Sequence, residues 1–393
     1  MKTLGKLTKV TGILPAAIKA NSINKGLIYP AENSLEAAWS GNSDVYAANG
    51  LLEVLNHFTG KQKMCSPILP EIRMHGEKKP DLQDIQGQII PKRALEIAAA
   101  GGHHMLMIGP PGSGKSMLAK RLPGIMPALS HEERLESSII ASIAGELSSN
   151  MLVEERPFRE PHCSSSLPAM VGGGKNAKPG EITLAHLGIL FLDELPEFSR
   201  NTLEALRQPI ESRCITIARV NNHVTYPANF QLIAAMNPCR CGYYGEPNNM
   251  QCSRAPSCVE DYQNKISGPL FDRFDMQIEV RAVDILSDEM ERGESSEVVA
   301  KRVMLARITQ LERYENLGIK LNSELNGELL YDVVKMDEES KNLMKKACTK
   351  MHISMRGFNK ILRVARTIAD LSQAKEVNVL HLAEAIGYRV ARK

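Results

Sequence analysis

Four short apolar runs punctuate the middle of the chain, at residues 104–108, 188–192, 231–236 and 276–280. Each is nearly continuous in hydrophobic residues instead of alternating, the pattern of strands buried on both faces of a parallel sheet. Stretches with helical spacing lie between them, so strand and helix alternate from about residue 81 to residue 280 and predict an α/β fold. Beyond about residue 287 no such run returns. There the spacing predicts helices over 296–317, 340–352, 358–373 and 379–389. Residues 1 to about 75 are mixed. They run into a turn-rich basic segment, from Gly60-Lys-Gln-Lys63 through Lys78-Lys-Pro80, that reads as a linker. A β-hairpin is expected from Cys214-Ile-Thr-Ile-Ala218 and Val224-Thr-Tyr226 around the turn Val220-Asn-Asn-His223.

Composition adds limits more than direction. The chain has 393 residues, enough for two or three domains, and a formal net charge of +3, too near neutral to name a partner. Any nucleic-acid contact must come from a local patch, and the region beyond residue 341 is the most basic one. No apolar run approaches the roughly 20 residues needed to span a bilayer, and the start lacks the apolar stretch of a secretory signal. A cytoplasmic protein is expected, with its eight cysteines reduced or metal-bound.

The sharpest chemical signal follows the first apolar run. Gly109, Pro110, Pro111, Gly112, Ser113, Gly114, Lys115 and Ser116 match the pattern G-x-x-x-x-G-K-[ST] without a substitution. Strand, glycine-rich loop and helix occur in the order that lets backbone N–H groups and a helix N-terminus face a phosphate. Lys115 is expected to reach the terminal phosphates of ATP and Ser116 to hold Mg²⁺. The run 189–192 ends in Asp193 and Glu194. Asp193 is placed to share the Mg²⁺ with Ser116, and Glu194 to polarise a water for attack on the γ-phosphate. Residues 231–236 end in Asn237, whose amide is expected to orient that water. Arg273, flanked by Asp272 and Asp275, reads either as a local ion pair or as an arginine finger for a neighbouring subunit's ATP. Arg356 opens a helix, where it is placed to touch a phosphate across a cleft. Lys360 and Arg363 follow on the same face.

Cys239, Cys241, Cys252 and Cys258 lie in one insertion rich in Gly, Pro and Asn, residues 239–258. Four thiolates on a segment with little core of its own can build a tetrahedral Zn²⁺ site, although the spacing is not the common C-x-x-C pair. The alternative is four free, reduced cysteines.

The order of motifs resembles a AAA+ ATPase of the magnesium-chelatase-like branch, and more closely the ComM/YifB family. Carrying the resemblance are Phe158-Arg-Glu-Pro-His162, Pro179-Gly-Glu-Ile182, Gly188-Ile-Leu-Phe-Leu-Asp-Glu-Leu-Pro-Glu-Phe198, Leu206-Arg-Gln-Pro209, Met236-Asn-Pro-Cys-Arg-Cys-Gly242, Ile266-Ser-Gly-Pro-Leu270 and Val364-Ala-Arg-Thr-Ile-Ala-Asp-Leu371. It runs from about residue 81 to the C-terminus. It implies a AAA+ core over 81–285 and a helical lid over 286–393. It also implies a hexameric ring motor on DNA, a branch-migration helicase of natural transformation. Within it Lys115, Ser116, Asp193, Glu194, Asn237, Arg273 and Arg356 keep the roles above, with Arg273 acting on the adjacent subunit.

Residues 1–75 resemble the final part of a Lon-protease-like α+β domain through Gly12-Ile-Leu-Pro-Ala-Ala-Ile-Lys19 and Leu27-Ile-Tyr-Pro-Ala-Glu-Asn33. The chain reads as starting inside that domain, and Lys19 is expected to be a surface lysine rather than a protease residue. Two loops are expected to face a ring's pore and track DNA backbone: residues 158–180, with Arg159, His162, Lys175 and Lys178, and the hairpin, with Arg219 and His223 near its tip. Competing readings are a chelatase-type protein-remodelling subunit and a nucleotide-gated scaffold that does not assemble.

Overall fold

The structure, a computed structural model, describes residues 5–41, 44–66, 80–147, 152–174, 177–219, 222–245, 252–282 and 293–389. The first group of elements is α1 (Ile13–Ser22), β1 (Leu27–Pro30), α2 (Ser34–Ala38), β2 (Val45–Ala48) and α3 (Leu51–Phe58). β1 and β2 pair in parallel, and Ile13, Ala17, Tyr29, Ala37 and Val45 form a small core beneath them. Buried Glu36 ties this group to the rest: it accepts from the Leu14 amide at 3.1 Å and from the Ser142 hydroxyl. Lys19 is exposed, as expected for a surface lysine. Most of the expected linker, residues 67–79, lies outside the described residues.

The central part runs α4 (Ile89–Gly101), β3 (Met105–Ile108), α5 (Lys115–Ile125), α6 (His131–Ala144), β4 (Phe158–Arg159), α7 (Leu167–Val171), β5 (Gly172–Gly173), β6 (Lys178–Pro179) and α8 (Glu181–Leu184). It continues with β7 (Ile189–Leu192), α9 (Arg200–Ala205), α10 (Arg207–Ser212), β8 (Cys214–Arg219), β9 (Asn222–Pro227), β10 (Gln231–Met236), α11 (Ser257–Gln263), α12 (Gly268–Phe271) and β11 (Met276–Glu279). Five strands form one parallel sheet in the order β11-β3-β10-β7-β4. All four apolar runs of the sequence are in it. The fifth strand, β4, is only two residues long and half-buried, which left no run to read.

The continuous apolar character of these strands has a direct cause. Side chains alternate between faces along a strand. Met105, Met107, Phe191, Ile233 and Ile278 enter a core with α4, α5 and the C-terminal helices. Leu106, Leu190, Leu192, Leu232 and Ala234 enter a second core with Leu195, Phe198, Leu270 and Phe274. Both faces are covered, so both registers are apolar.

The C-terminal part is helical: α13 (Ser296–Arg313), α14 (Gly327–Val333), α15 (Glu338–Met351), α16 (Met355–Leu371) and α17 (Val379–Gly387). The boundary expected at residues 285–286 falls in 283–292, outside the described residues. α16 is held by a buried network in which Arg313 and Arg366 both donate to Asp370. This helical part also reaches the hairpin β8–β9. Arg213, the residue before β8, meets Glu324 at 2.8 Å. The expected hairpin is present, with six residue pairs from Cys214↔Pro227 to Arg219↔Asn222. Residues 220 and 221 of its turn lie outside the described residues. Among the described residues no helix is long and apolar enough to cross a membrane.

Candidate functional site

The phosphate loop begins where β3 ends. The Gly109 amide donates to the Met236 carbonyl at 3.2 Å, pinning the loop to β10 before it turns. Gly112 and Gly114 take φ values of +77° and +90°, left-handed conformations in which a side chain is costly. α5 then starts at Lys115, so its first amides and positive dipole end face the loop.

Lys115 is 8% exposed. Its Nζ donates to the Gly109 and Pro110 carbonyls at 2.8 and 2.7 Å and reaches Asn237 Oδ1 at 3.3 Å. Burial draws its pKa down, and the charges of Asp193 and Glu194 work against that. Ser116 Oγ donates to Asp193 Oδ2 at 2.6 Å, while the Glu194 amide donates to Asp193 Oδ1 at 2.9 Å. The Glu194 side chain is exposed on a residue with φ of +51°, which turns the chain sharply after β7.

Strand order explains the convergence. β10 lies between β3 and β7. Asn237 therefore sits between the phosphate loop and the two carboxylates, at the carboxyl edge where parallel sheets bind ligands. The group can cradle phosphates with backbone amides and Lys115, hold a divalent cation between Ser116 and Asp193, and orient a water with Glu194 and Asn237. The Ser116–Asp193 contact supports the Mg²⁺ reading, because it places two hard oxygen ligands side by side.

Arg273 follows α12. Its Nη2 donates to Glu211 at the end of α10, and its buried Nε has no hydrogen-bond partner. The sequence suggested Asp272 and Asp275 as its neighbours, but Asp275 is engaged elsewhere. It takes the Lys360 ammonium at 3.2 Å and the His104 amide at 3.0 Å, with His103 Nδ1 at 3.8 Å. Burial alone pushes the Asp275 carboxyl up. Lys360, with His103 and His104, outweighs it and holds the group well below the usual carboxylate range. Burial pulls the Lys360 ammonium the other way, downward, more than Asp275 restores it.

The basic face expected on α16 is thus divided. Lys360 is buried on Asp275, and Arg363 Nε donates to the Leu325 carbonyl at 2.6 Å. Arg356 alone is exposed, in the first turn behind the Ser354 cap, and no hydrogen bond or ion pair engages its side chain among the described residues.

The four cysteines of the insertion do converge. Their sulfurs all lie within 4.8 Å of one another, and those of Cys239 and Cys241 are 3.1 Å apart. A tetrahedral site with Zn–S bonds of about 2.3 Å has sulfurs about 3.8 Å apart, so the set fits. Hydrogen bonds from the Tyr243 backbone and from Cys239 draw the Cys241 thiol down to about 7. Tyr262, a turn beyond Cys258, is a residue that sequence reasoning missed. Burial raises its phenol to about 12, Glu197 adds to the rise, and a hydrogen bond with the Asn237 backbone opposes it.

The two expected DNA loops differ. Arg159 is committed to Glu181 at 2.7 Å and Glu146 at 2.9 Å, which neutralises it. His162 is occupied by the Ser164 hydroxyl at 2.7 Å. Lys178 is exposed, and Lys175 lies outside the described residues. His223 is exposed on the hairpin.

Comparison with known proteins gives two family matches: "Magnesium chelatase, subunit ChlI" over residues 81–287 and "Magnesium chelatase, subunit ChlI C-terminal" over 293–389. Among curated proteins, the competence protein ComM of Haemophilus influenzae is 42% identical over 98% of this chain and 75% of its own length. The uncharacterised YifB proteins of Salmonella typhimurium and Escherichia coli are 43% and 42% identical over the same shares.

Proposed function

The chain belongs to the ComM/YifB family of magnesium-chelatase-like AAA+ proteins, and from that premise we propose that it is an ATP-hydrolysing, ring-forming DNA motor, a branch-migration helicase of recombination. The observation that carries the hydrolytic part is the meeting of Lys115, Ser116, Asp193 and Asn237 at one sheet edge, linked by contacts of 2.6 and 3.3 Å. Lys115 and the loop amides bind the β- and γ-phosphates. Ser116 and Asp193 hold Mg²⁺, which supplies positive charge against the phosphates when bound. Glu194 and Asn237 align the attacking water, and Glu194 takes its proton. Arg273 serves the nucleotide of an adjacent copy in a hexamer, and Arg356 contacts it from the lid.

The DNA part is supported by the name of the ComM relative, a competence protein, and by His223, exposed beside the turn of the hairpin β8–β9. Backbone tracking fits better than base stacking, because neither loop carries aromatic platforms. The four cysteines hold Zn²⁺ as a structural ion. Residues 1–75 are a Lon-protease-like unit with its linker, the core spans 81–285 and the lid 286–393, in a cytoplasmic protein.

The test is ATP turnover with and without forked and branched DNA. Turnover rises several-fold with DNA, and Lys115→Ala abolishes it. Turnover indifferent to every DNA form overturns the motor reading. The family matches favour one other reading, a chelatase-type remodelling subunit. Stable capture of a large chelatase partner, without DNA stimulation, would establish that one instead.

A further inference from the structure

The cysteine-rich insertion leaves from the nucleotide site and returns to it. Cys239 is fully buried two residues beyond Asn237. Gly242, next to Cys241, has φ of +89° and lies directly on the phosphate loop. A Cβ there would come within 2.7 Å of Pro111 Cδ. Cys258 belongs to α11, and one turn later Tyr262 is buried with the Asn237 backbone as a hydrogen-bond partner. The next residue, Gln263, donates from Nε2 to the Pro238 carbonyl at 3.3 Å.

Two pieces of the site, the segment after Asn237 and α11, therefore meet at the four sulfurs, and Gly242 beside Cys241 touches a third, the outer turn of the phosphate loop. Among the described residues of the insertion, 239–258, none joins either of the two large hydrophobic cores. Among the described residues from 240 to 257 only Gly242 is buried. A segment without a core keeps one conformation only if something cross-links it.

We propose that Cys239, Cys241, Cys252 and Cys258, closed on one Zn²⁺, hold Gly242 against Pro111 and fix Asn237, so that nucleotide affinity and turnover both depend on the metal. This rests on the zinc and nucleotide readings above and gives them a common regulation. Gly242 supplies the link to affinity through the phosphate loop. Tyr262 and Gln263 supply the link to turnover by bracing Asn237 and Pro238.

The experiment uses the full chain in Mg²⁺ buffer. Zinc content is measured by mass spectrometry, and binding of a fluorescent ATP analogue is measured before and after a high-affinity zinc chelator. One zinc per chain is expected, with affinity at least tenfold weaker after chelation and restored by added Zn²⁺. Gly242→Ala separates the link from the metal: it keeps its zinc and still binds the analogue at least tenfold more weakly. Cys258→Ser loses both, while its thermal unfolding still shows a folded protein. A chelated protein that binds the analogue as tightly as the loaded one overturns the coupling and leaves the zinc site standing. A protein that never holds zinc overturns the coupling together with the zinc reading. A zinc-loaded protein that binds no nucleotide overturns the function on which both rest.

Discussion

Arg273 reaches Glu211 across 62 residues of chain, and the pair is lopsided: the arginine side chain is 13% exposed, the glutamate 62%. A pair with one partner in water is worth only about 0–1 kcal/mol, so Glu211 is easily exchanged for a stronger anion. The buried Arg273 Nε, which has no partner, adds a donor for such an exchange. Arg273→Ala is expected to lower ATP turnover about 10³-fold or more. A mixture of this variant with Lys115→Ala regains turnover, because one copy then offers an intact pocket and the other an intact arginine. Wild-type turnover by Arg273→Ala alone would refute the finger.

Asn237 touches Lys115 but sits beyond the glycine-rich loop 109–116. Asn237→Ala is expected to lower kcat about 10²-fold and to leave the affinity for an ATP analogue within a factor of about three. Steady-state kinetics beside equilibrium binding separate the two. Equal losses in both would make Asn237 a binding residue.

Asp275 and Lys360 form a buried pair at 3.2 Å between the strand edge and the lid. Asp275→Asn leaves the lysine buried without its counter-charge and is expected to cost about 3–5 kcal/mol. The sign with pH follows from the lowered carboxyl. Its stabilising contribution is complete above about pH 4, the usual aspartate range, and fades as pH falls through the lower folded value. Urea midpoints between about pH 6 and pH 3 test this. The wild type loses stability toward acid more steeply than Asp275→Asn, and parallel curves contradict the assignment.

Arg219 and His223 lie on the two strands next to the hairpin turn. Each phosphate contact removed from duplex DNA lowers the slope of log affinity against log salt by about 0.9. Arg219→Ala is expected to show that change and to weaken all DNA sequences alike. A sequence-dependent loss at constant salt slope points to base reading instead.

The sheet and the phosphate loop were legible because each rests on local chemistry. Buried parallel strands must be apolar on both faces, and a phosphate loop needs its glycines. Strand β4 was not legible, since Phe158 and Arg159 are too short a run to show a period. Partner choice was not legible either. Helical spacing correctly put Arg356, Lys360 and Arg363 in register, but only the fold shows that Asp275 removes Lys360 from the surface. Likewise Arg159 read as a free cation until the fold supplied Glu181 and Glu146. The four cysteines could be grouped from the sequence despite their irregular spacing, but only the fold shows how near their sulfurs lie, all within 4.8 Å of one another.

The salt bridge from Arg213 to Glu324 joins the foot of β8 to the helices of the C-terminal part. Glu324, only 8% exposed, gives the hairpin one fixed point of attachment on that side, at the residue just before its first strand.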